Sequence, residues 1–127
     1  MPSAKIFHYG QSIFEGMKAY KDTDKKTWLF RPDENFKRFN ISAKRLAIPE
    51  LPQAVFMEGL KALLKVDEQW IPTQDGSSLY IRPIIFATGE GFHASPADAY
   101  KFMICKYFIK IAAIHRLDQL PLLFFLS

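Results

Sequence analysis

The segment Ser78–Thr88 constrains the fold most. It is rich in β-branched and aromatic side chains and contains no glycine. Turn formers bound it, Asp75-Gly76 before and Gly89 after. It therefore predicts one long strand. Side chains two apart on a strand share a face, so Tyr80 and Arg82 project one way and Leu79 and Ile81 the other. A phenol beside a guanidinium makes a directional polar surface suited to a carboxylate. The same pattern also fits a half-buried edge strand with an exposed arginine. Pro83 removes a ladder donor, which predicts a bulge or a sheet edge.

The remaining elements follow from punctuation and periodicity. Residues 6–14 read as an extended entry and a turn around Gly10, and Glu15–Lys21 as a strand. Asp22-Thr23-Asp24-Lys25-Lys26 is a turn, and Thr27–Arg31 completes a hairpin. Pro32 with Asp33 and Glu34 opens a helix. Its apolar face is Phe36, Phe39, Ala43, Leu46 and Ala47, and it stops before Pro49. Pro52 opens a second helix with Val55, Phe56, Leu60, Leu63 and Leu64 as its stripe. Asp67–Ser77 and Gly89–Ala97 are loops. Ala99–Cys105 is the last strand. The order strand-strand-helix-helix-strand-strand predicts an α/β domain of the α+β type, with a mostly antiparallel sheet and two packed helices.

With 127 residues, 49% of them apolar, the chain can build one domain core. The domain is expected over residues 1–105. From Lys106 the character changes to a helical patch and then an apolar end, Leu122-Leu123-Phe124-Phe125-Leu126, read as a divergent tail over 106–127. The net charge of +4 is spread among interleaved acids and bases, which argues against a nucleic-acid surface. No apolar run approaches the roughly 20 residues that span a bilayer, so no membrane partner is expected. The single cysteine, Cys105, excludes an internal disulfide. Its apolar setting reads as a buried, inert thiol.

Arg38 lies opposite the apolar face of the first helix. It could pair with Glu34 four residues earlier, or reach a phosphate from a rigid element. Tyr9, Gly10, Phe14 and Gly16 place aromatics around glycines, which suits a pocket wall or a plain turn. His8, His93 and His115 show no metal-ligand spacing with one another or with Cys105, so no metal site is assigned. The chain has no G-x-G-x-x-G, P-loop or G-x-S-x-G motif.

Taken in order, these segments resemble a known family. His8-Tyr9-Gly10-Gln11-Ser12-Ile13-Phe14-Glu15-Gly16-Met17-Lys18-Ala19-Tyr20 resembles the early segment of the branched-chain aminotransferase small domain. Leu29-Phe30-Arg31-Pro32 with Asn35 and Arg38, then Ser42-Ala43-Lys44-Arg45-Leu46, look like its next blocks. Trp70-Ile71-Pro72 and Ser78-Leu79-Tyr80-Ile81-Arg82-Pro83 follow in register. The likeness runs from about residue 4 to residue 105.

The resemblance implies the small N-terminal domain of a fold type IV pyridoxal 5'-phosphate enzyme. Such an enzyme transfers the amino group of leucine, isoleucine or valine to 2-oxoglutarate. By matching position, Arg38 looks like the arginine at the cofactor phosphate. Tyr9, Phe14 and Tyr80 look like walls of the apolar side-chain pocket, and Arg82 like the arginine near the substrate carboxylate. The family's Schiff-base lysine lies well downstream, beyond this chain, and Lys106 and Lys110 match no such motif. Lys106-Tyr107-Phe108 also replaces the family's small-residue and proline turn. The expectation is therefore an N-terminal fragment, short at its start and inactive alone, whose parent is a homodimer. The parent is expected in the cytoplasm, or in mitochondria if a transit segment precedes. A D-amino-acid aminotransferase, an aminodeoxychorismate lyase, or a non-catalytic fragment that pairs with a full-length subunit remain alternatives.

Overall fold

A computed structural model describes residues 1–110 of the chain. In order, its elements are α1 (Lys5–Tyr9), β1 (Ser12–Phe14), β2 (Met17–Lys21), β3 (Thr27–Leu29), α2 (Pro32–Arg45), α3 (Gln53–Val66), a 3-10 turn (Glu68–Trp70), β4 (Ser77–Ala87) and β5 (Tyr100–Lys110). All strands join one antiparallel sheet, in accord with the expected α+β class.

The long strand organises this sheet. β5 pairs with β4 along its whole length, from Ser77↔Lys110 to Ala87↔Tyr100. The other side of β4 takes β1 and β2 end to end in one register, Ser12↔Phe86 through Ala19↔Leu79. Between them, at Glu15-Gly16, the ladder is interrupted, and the Glu15 amide donates to the Pro83 carbonyl at 2.9 Å. In an antiparallel ladder a residue's N–H and C=O point to the same side. The donor that Pro83 lacks therefore faces this break, not β5. The expected bulge or edge at Pro83 is corrected: β4 is the central strand, and the proline sits where its neighbour has already left the ladder.

α2 and α3 cover one face of the sheet. Phe39, Phe56, Leu60, Ile81 and Pro83 are fully buried between the layers. Ring centroids lie 5.6 Å apart for Phe39–Phe56, 6.0 Å for Phe39–Phe102 and 5.5 Å for Phe36–Phe56, spacings at which aromatic pairs add stability beyond area burial. Pro32 stands at the start of α2 with Asp33 and Glu34 in its first turn. Asn40 ties the α2–α3 connection to the core by donating to the Leu51 carbonyl at 2.9 Å and accepting its amide at 3.0 Å.

Several local expectations are corrected. Residues 5–9 are a short helix rather than extended, closed by Gly10 in the left-handed conformation (φ 61°), which glycine adopts without a Cβ clash. Leu46 and Ala47 are exposed, because α2 ends at Arg45 and the positive φ of Ala47 (53°) breaks the helical spacing; Ile48 is buried instead. Val55 is exposed, leaving Phe56, Leu60 and Leu64 as the stripe of α3. β5 continues past Cys105 to Lys110, and Cys105 is exposed on the face away from the helices. The alternation of β5 sends its odd-numbered residues outward, so the run is two-sided rather than interior. From residue 111 on, the expected tail and its helical patch lie outside the described residues.

Phe56 of α3 touches Phe36 and Phe39 of α2 and Phe102 of β5. Phe56→Ala is expected to lower unfolding free energy by about 3–5 kcal/mol, measured by urea denaturation. A loss under 1 kcal/mol would mean that this aromatic cluster does not hold the layers together.

Candidate functional site

The face of β4 turned away from the helices carries Tyr80 and Arg82, as the alternation predicts. Phe14, on β1, joins them. The Arg82 guanidinium carbon lies 4.7 Å from the centre of the Phe14 ring and 5.4 Å from that of Tyr80. Such stacking confines a guanidinium while leaving its edge available. Arg82 Nη2 donates to Tyr80 Oη at 3.4 Å, and Arg82 Nε is buried without a hydrogen-bond partner among the described residues. Tyr107 of β5 backs Tyr80, ring to ring at 4.7 Å. Three of the expected site residues are thus one cluster.

The Glu15-Gly16 break makes room for it. A Cβ on Gly16 would lie 2.5 Å from Tyr80 Oη, closer than any side chain permits. The absence of a side chain there lets the phenol lie across the interrupted ladder.

Arg38 belongs to the opposite layer and reaches the break from α2. Its Nε donates to Glu15 Oε1 at 2.6 Å and its Nη2 to Glu15 Oε2 at 2.8 Å. Asn35 Nδ2 donates to Glu15 Oε2 at 2.9 Å and to the Gly16 carbonyl at 3.2 Å. The Gly16 amide donates to Glu15 Oε2 at 3.3 Å. The Glu15 side chain is 5% exposed and that of Arg38 68%. Burial alone would push the Glu15 carboxyl up. The Arg38 and Asn35 hydrogen bonds, the Arg38 charge and the Gly16 amide outweigh it and hold the group below its ordinary 4.5. The expected Glu34–Arg38 alternative is not formed. Glu34 pairs with Lys37 at 2.8 Å and stands 3.8 Å from Arg31.

Two adjoining depressions open along this line. One, of about 520 Å³, is lined by Phe30, Arg31, Glu34, Asn35, Lys37, Arg38 and Ile41. The other, of about 260 Å³, is lined by Gly16, Met17, Lys18, Tyr20, Phe30, Asn35 and Tyr80. Phe30 and Asn35 belong to both, so the cationic wall at Arg38 is continuous with the surface beside Tyr80. In the larger one, three lining cations, Arg31, Lys37 and Arg38, against one lining carboxylate, Glu34, suit an anion.

Tyr9 makes none of these contacts. It sits at the end of α1, and its hydroxyl donates to the Phe92 carbonyl at 2.5 Å, while His8 stacks edge-on against Phe92 at 4.9 Å. Lys5 ties the same loop down, donating to the Ser95 carbonyl and hydroxyl and the Pro96 carbonyl at 2.7–2.9 Å. Lys106, read from the sequence as an ordinary lysine, pairs with Asp67 at 2.9 Å. Sequence reasoning missed the parts played by Glu15, Gly16, Asn35 and Tyr107. A carboxylate on the helix-facing side of a strand was the one available signal, since a buried charge must find a partner. Among the described residues no group of three or more His, Cys, Asp or Glu could hold a metal ion, and no helix is long and apolar enough to cross a membrane.

No protein-family model matches the chain. Individual proteins do. A branched-chain-amino-acid aminotransferase of Mycolicibacterium smegmatis is 49% identical over 104 residues, 81% of this chain and 28% of that protein. Branched-chain-amino-acid transaminase 1 of Bacillus subtilis is 44% identical over 103 residues, 81% of this chain and 29% of that protein. Among solved structures, the Escherichia coli branched-chain amino acid aminotransferase superposes with a TM-score of 0.62 at 29% identity, covering 87% of this chain and 34% of that one. The T.th. branched-chain amino acid aminotransferase complexed with N-(5'-phosphopyridoxyl)-L-glutamate gives 0.64 at 31% identity, covering 84% and 34%. The same protein complexed with 4-methylvaleric acid gives 0.65 at 30%, covering 84% and 34%. The chain is thus homologous to the branched-chain aminotransferases and spans somewhat over a quarter of the length of these curated relatives.

Two outcomes follow from the geometry. Gly16→Ala is expected to drive the Tyr80 ring off Tyr107 and to cost about 1–3 kcal/mol of stability as an overpacked site; loss of the Tyr80–Tyr107 ring NOEs together with a lower thermal midpoint reads both. For Glu15, a depressed folded-state pKa contributes stability that is present above 4.5 and is lost as pH falls through the folded value. The stability difference between the wild-type chain and Glu15→Gln, from urea denaturation at pH 7 down to pH 3, is therefore expected to shrink below about pH 4.5. A difference constant with pH would contradict the assignment.

Proposed function

We propose that this chain supplies the cofactor-phosphate side and part of the substrate wall of a branched-chain aminotransferase dependent on pyridoxal 5'-phosphate. The reaction is transfer of the amino group of leucine, isoleucine or valine to 2-oxoglutarate. The observation that carries the reading is the joint placement of two chemistries about the Glu15-Gly16 break. The exposed, oriented guanidinium of Arg38 lies on one side, and the Phe14–Tyr80–Arg82 cluster on the other. Both occur in a chain 44–49% identical to two proteins of that name.

The residues suit the group. Glu15 occupies Arg38 Nε and one proton of Nη2, so Nη1 takes no part in the pair. Arg31 and Lys37 line the same depression. A phosphate dianion matches guanidinium donors held on a helix. When bound, pyridoxal phosphate supplies the electron sink, and the protein binds and orients. Phe14 and Tyr80 present rings to a branched aliphatic side chain. One methylene in such a pocket is worth only about 1–3 kcal/mol, so a single wall serves three similar amino acids. Arg82, confined over Phe14, suits a carboxylate. Tyr9 joins the wall from its separate position beside Phe92. In this reading the lysine that carries the cofactor is supplied outside these 127 residues, and the complete enzyme is a homodimer.

A chimera tests the reading: residues 4–105 of this chain replace the matching segment of the Mycolicibacterium smegmatis relative. The chimera is expected to transaminate leucine, isoleucine and valine. Arg38→Met within it is expected to weaken pyridoxal phosphate binding about 10–100-fold, the loss of charge-assisted hydrogen bonds. The 127-residue chain alone is expected to yield no stoichiometric borohydride-reducible lysine adduct with pyridoxal phosphate. A folded chimera that binds the cofactor but leaves all three amino acids untouched would overturn the assignment.

A further inference from the structure

We infer that Glu15 is the positioning residue of Arg38, fixing its guanidinium so that the edge Glu15 leaves unused meets an anion in the cationic depression. The inference rests on the reading of Arg38 as the cofactor-phosphate arginine.

An arginine on an open helix face has many rotamers and loses that freedom when it grips a ligand. Here the freedom is already gone. Glu15 takes Nε and Nη2 together at 2.6 and 2.8 Å, an arrangement that sets the plane of the guanidinium as well as its place. Glu15 is itself held. It is 5% exposed, Asn35 Nδ2 donates to its Oε2 at 2.9 Å, and the Gly16 amide donates to the same oxygen at 3.3 Å. Constraint thus runs from the backbone of the β1–β2 break, through a buried carboxylate, to a solvent-facing cation. Arg31 and Lys37, which line the same depression, have no such support: among the described residues each pairs only with Glu34, on the exposed first turn of α2.

Charge alone predicts the opposite consequence. A carboxylate against Arg38 repels an incoming anion, so its removal would tighten anion binding if attraction were all that mattered. Positioning predicts that removal weakens binding despite the more favourable charge. The sign of the effect separates the two.

The test uses the 127-residue chain, inorganic phosphate as the probe, and the NMR signal of the Arg38 Nε–Hε group as the readout. In the wild-type chain this signal is expected to be resolved, slow to exchange with water, and shifted by phosphate. Glu15→Gln keeps the side-chain shape and removes the charge. It is expected to move the signal toward that of an unrestrained arginine and to raise the phosphate dissociation constant about three- to tenfold, the effect of lost preorganisation. Asn35→Ala removes one anchor of Glu15 and leaves the pair's charges intact. It is expected to act in the same direction by less, and it carries the test if Glu15→Gln does not fold. Phosphate binding that is unchanged or tighter in the folded variant would overturn the positioning role while leaving Arg38 as the phosphate ligand. A wild-type Arg38 signal indifferent to phosphate would overturn the phosphate reading and this inference with it.

Discussion

The ion pair between Glu15 and Arg38 joins the two layers of the molecule at the point where the sheet is interrupted. Everything proposed for the site hangs on that junction. At Glu15-Gly16 the strand leaves the ladder, and two residues with opposite needs use the gap. Glu15 turns toward the helices and is buried, which requires a cation and further donors. Gly16 turns no side chain outward, which lets Tyr80 lie across the break. A single irregularity in one strand thereby orients Arg38 on one face and seats Tyr80 and Arg82 on the other.

The central strand makes this economical. β4 is paired on both sides, and its alternate residues serve two purposes. Leu79, Ile81, Pro83 and Ile85 face the helices and are buried, whereas Tyr80 and Arg82 look outward. Residues held on a paired strand are placed more rigidly than residues on loops. Tyr9 is placed differently, through α1 and its bond to Phe92. Its position depends on the loop between β4 and β5.

Local signals were legible in the sequence. Pro32, Asp33 and Glu34 announced the start of α2, and the alternation of Tyr80 and Arg82 with Leu79 and Ile81 announced a two-faced strand. What failed was short or non-local. α1 spans one turn and a half, with Ala4 as an N-cap that offers no side-chain bond, so nothing in its composition marks a helix. Pro83 reads as an edge residue until its neighbour across the ladder is known. Arg38 had an acidic residue four positions away, as helical spacing favours, yet its partner lies 23 positions away on another layer. Pairing across layers is set by packing, which one sequence read alone does not display. The family resemblance supplied roles for Arg38, Tyr80 and Arg82 that pattern by itself did not favour.

Glu15 and Arg38 act as one unit rather than as two surface charges that happen to meet. A double-mutant cycle of Glu15→Gln and Arg38→Met, read by urea denaturation near neutral pH, addresses that directly. Coupling is expected, with the double variant less destabilised than the two single losses together, because either substitution already strands the other partner. Strictly additive losses would contradict the account and leave the break, the helix and the sheet as separate features.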